Sequence, residues 1–104
     1  MTPEGKNVAF FRSLIKAAGG TVRKQHWEGV RGAPDLFVML PCVHAWVEMK
    51  AEGGDLAPHQ IREIRRMDAA GCITYTSYSQ NDSLVIAREL ERLSLEAQRA
   101  ANRF

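Results

Sequence analysis

The sequence predicts an α/β domain: a mixed four-stranded sheet flanked by helices, in the order α-β-β-β-α-β-α. Three observations predict it. The ends of the chain carry apolar residues at helical spacing, on residues 4–18 and about 80–100. Two short apolar runs, DLFVML and HAWVEMK, are separated only by a proline-containing turn, which predicts an antiparallel hairpin. A helical segment at 58–70 lies between strand 44–50 and strand 72–78, and such a crossover implies a parallel, right-handed pair.

The first helix carries Val8, Phe11, Leu14, Ile15 and Ala18 on one side. Thr2, Pro3 and Glu4 are start signals, and Gly19-Gly20 is a stop. TVRKQHWE, residues 21–28, alternates weakly and predicts a strand. EGVRGAP is loop by its glycine and proline content. Residues 35–40 and 44–50 form the hairpin about a turn at Pro41-Cys42-Val43, and AEGGDLAP is again loop. Pro58 suits the first turn of a helix, which places Ile61, Ile64 and Met67 inward and ends at Gly71. CITYTSY, residues 72–78, is the fourth strand. Ser79 caps the last helix, with Ile86, Leu90, Leu93 and Ala97 along one face. No repeat, low-complexity tract or linker interrupts the 104 residues, which read as a single domain.

The composition, 45% hydrophobic and 25% charged, is ordinarily globular. No apolar run approaches the roughly 20 residues that span a bilayer, so no membrane partner is expected. MTPEGKNVAFF lacks the layout of a signal peptide. Cys42 and Cys72 have neither disulfide-scaffold nor zinc spacing, and buried, inert thiols in a reducing cytoplasm are expected. A net charge of +2 is too mild to establish a nucleic-acid partner. Its distribution says more: Arg23, Lys24 and Arg31 precede the hairpin, and Arg62, Arg65 and Arg66 follow it.

The hairpin also holds charge where apolar surface is most needed. Side chains alternate along a strand, so Trp46, Glu48 and Lys50 share one face while Ala45, Val47 and Met49 share the other. With a turn of about three residues, Asp35 falls roughly opposite residue 49, within a residue or two. Asp35 and Glu48 then converge on one point, with Lys50 beside it. Two carboxylates at one point repel unless a proton or cation lies between them. A hard divalent ion such as Mg²⁺ prefers carboxylate and carbonyl oxygens, and the main-chain carbonyl of Met49 offers a third. Metal, activated water and ammonium together make a kit for phosphodiester hydrolysis. The bland alternative is that Glu48 and Lys50 are solvated residues on an exposed face, loosely paired with Asp35.

At RGAPDLF, residues 31–37, and WVEMKAEGGDLAPHQ, residues 46–60, the sequence resembles the PD-(D/E)xK nuclease superfamily, and more narrowly its virus-type replication-repair nuclease (VRR-NUC) domain. The resemblance runs from about residue 4 to 90. It implies a restriction-endonuclease-like core and cleavage of DNA with Mg²⁺ or Mn²⁺ as cofactor. Asp35 and Glu48 would hold the metal, Lys50 would be the catalytic lysine, and Gln60 would position water or phosphate. The family also places a glutamate on the first helix; Glu4 is the candidate, with compensation of the helix dipole as its alternative role. The stand-alone members, often encoded by bacteriophages, resemble Holliday-junction resolvases and act as homodimers.

That resemblance leads to a metal-dependent endonuclease for branched DNA, with four-way junctions first and flaps or single strands second. A non-catalytic DNA-structure-binding module is the rival from another class. Arg62, Arg65 and Arg66 share a helix face, and with Arg23, Lys24, Arg31 and His59 they are the expected phosphate contacts. Trp27 and Trp46 read as core or interface packing rather than base stacking, and His26 and His44 as structural or exposed. Leu84, Val85, Ile86, Leu90, Leu93 and Leu95 put apolar residues on more than one side of the last helix; one face can cover the sheet, and the surplus, with Tyr75 and Tyr78 beside it, points to a subunit interface.

Overall fold

A computed structural model describes residues 1–103, and its element order is the expected one. Helix α1 spans Pro3–Ala17; β1 Thr21–Lys24; β2 Leu36–Leu40; β3 Val43–Met49; α2 Pro58–Ala69; β4 Thr74–Ser77; and α3 Gln80–Ala101. The sheet order is β1-β2-β3-β4, antiparallel at its first two junctions and parallel between β3 and β4.

Local chemistry sets the helix ends. The Thr2 hydroxyl accepts the Gly5 N–H at 3.0 Å, and the Ser79 hydroxyl accepts the Asp82 N–H at 3.1 Å, so both long helices start on side-chain caps. Helix α2 starts on Ala57, which has no such oxygen. Its amide is instead taken by the side chain of Gln60 at 2.8 Å.

One sheet face is the core. Leu36, Val38, Leu40, Ala45, Val47 and Met49 alternate inward and meet Phe11 and Ile15 of α1 and Ile86, Ala87 and Leu90 of α3. Burying each of the larger of these side chains contributes about 1.5–3 kcal/mol, and each alanine less. A polar cluster joins the same layers: Asn7 donates to Ser77 Oγ at 3.2 Å and accepts from Ser83 Oγ at 2.7 Å. Among the described residues no buried side-chain polar atom lacks a partner. Helix α2 packs on β4 from the other, outer face, where Ile61 and Ile64 are half-buried and Met67 alone in the helix is buried. No helix among the described residues is long and apolar enough to cross a membrane.

Three expectations need correction. The strand predicted over 21–28 ends at Lys24, although the Gln25 N–H still reaches Asp35 O at 2.7 Å. Beyond that bond the chain leaves the ladder for a loop that turns at Glu28-Gly29. The hairpin turn is two residues, Pro41 and Cys42, rather than about three, and Cys42 takes a φ of 65°. Proline followed by a positive φ fits a type II turn. The cysteines are free as expected but exposed rather than buried, one at the hairpin tip and one after Gly71.

Candidate active site

The two-residue turn fixes the register: Leu36 pairs with Val47 and Phe37 with Trp46, so the next step sets Asp35 directly opposite Glu48. Directly opposed residues share a sheet face. Phe37, Trp46 and Glu48 are half-buried on the outer face, in alternation with the buried Leu36, Val47 and Met49. The two carboxylates therefore meet at one end of the hairpin, on the side of α2. Lys50 Nζ lies 3.9 Å from Glu48 Oε1.

Glu48 is held in a setting hostile to its charge. Burial, and next the neighbouring Asp35 charge, push its carboxyl up to about 7; Glu4 adds to the rise, while Lys50 and the Asp35 main chain act against it. Gln60 Nε2 donates to Glu48 Oε1 at 3.2 Å. Since Gln60 Oε1 accepts the Ala57 N–H, the amide is locked with its NH₂ toward the acids and one hydrogen to spare.

The donor set fits a hard divalent cation. It consists of a carboxylate pair that resists ionising together, plus a main-chain carbonyl. The amides of Trp46 and Lys50 bond to Ile73 O, just before β4, and to Ser77 O, at its end, each at 2.9 Å, so Val47 and Met49 turn their main-chain groups toward β2. The register there places Pro34 opposite Met49, and proline donates nothing. The Met49 carbonyl is thus left for another partner.

Glu4, on the first turn of α1, lines two adjoining grooves of about 390 and 270 Å³, one also walled by Lys50 and the other by Asp35. It stands at the rim and contributes to the field on Glu48. Even so, no three acidic, histidine or cysteine side chains among the described residues gather closely enough to form a metal cluster by themselves.

Positive charge gathers at the mouth. Desolvation, then Arg31, Arg62 and Lys50, hold His59 below its usual range and favour the neutral imidazole. Arg65 is exposed on α2, and Arg66 is tied to Glu63 at 2.8 Å. Arg23 and Lys24 are exposed on edge strand β1, with Arg23 donating to Thr21 Oγ1 at 2.9 Å. His26 and His44 are exposed.

Two residues matter more than the sequence alone indicates. Gly32 has a φ of 92°, and a Cβ there would lie 2.6 Å from His59 O, against the first turn of α2. Trp27 donates its indole N–H to Pro34 O at 2.8 Å and packs on Trp46 at 4.8 Å. The glycine beside the Pro-Asp pair was a visible signal; nothing in the letters reports the indole bond.

No family model matches the sequence, and a search of curated proteins finds no relative. A solved structure described as a VRR_NUC domain does match, with 36% sequence identity and a TM-score of 0.79, over 85% of this chain and 97% of that one.

Proposed function

The chain belongs to the VRR-NUC family of nuclease domains, and from that premise we propose that it is a Mg²⁺- or Mn²⁺-dependent endonuclease of branched DNA. The observation that carries this reading is the register: Asp35 faces Glu48 across the hairpin, with Lys50 and Gln60 against the same carboxylate. Asp35, Glu48 and the Met49 carbonyl would hold the ion, and Glu4, which lines a groove with Asp35, would act through water. Bound there, the metal supplies a Lewis acid at the scissile phosphate and a water acidified toward neutral pH.

The protein's own groups do the rest. Lys50 brings an ammonium to within 3.9 Å of Glu48, where it offsets charge developing on the phosphate or passes a proton. Gln60 fixes the Glu48 carboxylate and offers its remaining N–H to a water or phosphate oxygen. Arg31, Arg62 and His59 border the mouth and suit contacts to the flanking sugar-phosphate backbone; Arg23, Lys24, Arg65 and Arg66 suit more distant ones.

The preferred substrate on this reading is a four-way junction, cut by a homodimer. A twofold assembly matches the paired cuts that resolution requires. Val85 and Leu95 of α3, 60% and 46% exposed, support an apolar contact between copies. Cleavage of flaps or single strands by the same residues is the second reading.

The test is incubation of labelled junction, flap and linear duplex with and without Mn²⁺. Paired symmetric products from the junction, lost by about 100-fold or more in Asp35→Asn and Lys50→Ala, are expected. Cleavage of flaps alone would favour the second reading. Full activity in either variant, or junction binding with no turnover under any divalent ion, would refute the assigned chemistry.

A further inference from the structure

We propose that Trp27 is a positioning residue for the metal site: its indole pins the peptide that carries Asp35 and couples it to the strand that carries Glu48. The inference rests on the metal-dependent reading above. Three contacts support it. The Trp27 Nε1–H donates to Pro34 O, the carbonyl of the Pro34–Asp35 peptide, at 2.8 Å. The Gln25 N–H bonds Asp35 O, the next carbonyl along, at 2.7 Å. The peptides on both sides of the Asp35 α-carbon are thus fixed by one segment, residues 25–27, just past the end of β1.

The third contact reaches the other arm. The Trp27 ring lies 4.8 Å from that of Trp46, tilted by 52°, and Trp46 lies 4.4 Å from Phe37. Trp46 is two residues before Glu48 on the same face, and Phe37 two residues after Asp35. The aromatic cluster therefore sits next to the acid pair along both strands. It fills outer sheet surface where α2, which packs on β4, does not reach.

Pro34 makes the clamp necessary. Without an N–H its peptide can be held only through its carbonyl, which is buried with the rest of the residue. The indole is the donor that satisfies it. Groups one layer behind a metal ligand commonly change metal affinity by 10–100-fold when removed, because they set ligand orientation.

Trp27→Phe keeps a ring against Trp46 and removes only the donor. Calorimetric titration of the DNA-free protein with Mn²⁺ should show binding weakened about tenfold or more. kcat at low Mn²⁺ should fall in parallel and recover at high Mn²⁺, with KM for DNA and metal-free DNA affinity unchanged within about twofold. A thermal melt verifies that the variant is folded. If it is not, benzothienylalanine at position 27, which replaces the indole N–H by sulfur, asks the same question with the ring intact. Unaltered Mn²⁺ binding in a folded variant overturns the proposal alone. Loss of DNA affinity with Mn²⁺ binding intact also overturns it, since the ring would then be a nucleic-acid contact. If the unsubstituted protein binds no Mn²⁺, or if Asp35→Asn leaves its binding unchanged, the metal reading falls and the proposal with it.

Discussion

Replacing Glu48 by Gln should stabilise the metal-free protein above neutral pH while abolishing its catalysis. Burial and the Asp35 charge raise the Glu48 carboxyl from 4.5 to about 7. At about 1.4 kcal/mol per pH unit, ionising it in the folded state costs about 3 kcal/mol more than in the unfolded chain. The side chain is only 12% exposed, so solvent screens little of this. The sign follows from the direction of the shift. The folded state holds its proton more tightly than the unfolded one, so this contribution is complete below pH 4.5, falls as pH rises through about 7, and is gone above it. Glu48→Gln lacks the titration and can still accept from Gln60. In EDTA at pH 8 the variant should therefore be up to about 3 kcal/mol more stable than the parent, equivalent to roughly 10 °C or more in Tm for a domain of this size. Near pH 4.5 the two melts should converge. Saturating Mn²⁺ should raise the parent's Tm and not the variant's. Melts scanned from pH 4.5 to 8.5, with EDTA or Mn²⁺, measure all of this. Equal Tm values in EDTA at pH 8 would refute the claim that Glu48 sits desolvated beside a second carboxylate.

Two further substitutions test the scaffold. Gly32→Ala meets both a φ of 92° and main-chain atoms at 2.6–3.0 Å, whereas Gly19→Ala meets a φ of 87° and open space. Gly19→Ala should cost about 1 kcal/mol and leave cleavage intact, and Gly32→Ala should cost more and lower kcat by displacing the turn that holds Gln60; equal losses in melts and rates would deny that contact. Pro34→Ala returns an N–H opposite the Met49 carbonyl, so Mn²⁺ affinity measured by calorimetry should fall although the fold remains; unchanged affinity would remove Met49 from the ligand set.

Much of this was legible in the letters because it depends on local rules. The caps at Thr2 and Ser79 and the alternation in HAWVEMK are short-range chemistry, and they placed the helices and the Glu48–Lys50 face correctly. What escaped was long-range. Strand β1 stops at Lys24 although TVRKQHWE reads as one strand, because the chain leaves the sheet for the loop that ends at Pro34-Asp35. Ile61 and Ile64 remain half-buried because α2 packs on β4 rather than across the whole sheet. The Trp27 ring packs on Trp46 as its residue type predicts, but its N–H bond crosses an irregular loop that no periodicity describes. The cysteines were assigned by residue type, and the turn and loop they occupy kept them at the surface.

The turn length carries the greatest consequence. Directly opposed residues in an antiparallel pair point to the same side of the sheet, so parity, rather than mere proximity, decides whether two acids can meet. Opposite Met49, Asp35 would face the apolar core with Phe11 and Ile15, and no cation could reach both carboxylates. Opposite Glu48, it shares the outer face with that acid. The difference is one residue in the turn, and Pro41-Cys42 makes it by accepting a left-handed φ of 65° at a non-glycine position. An L-residue there costs about 1 kcal/mol relative to glycine. An inserted residue would spare that cost only by moving one strand's alternation against the other. The apolar residues that would then turn outward from β2 or β3 are each worth about 1.5–3 kcal/mol buried. The core thus enforces the register, and the register delivers the acid pair: the site's geometry follows from the burial of Leu36, Val38, Ala45 and Val47 on the opposite face.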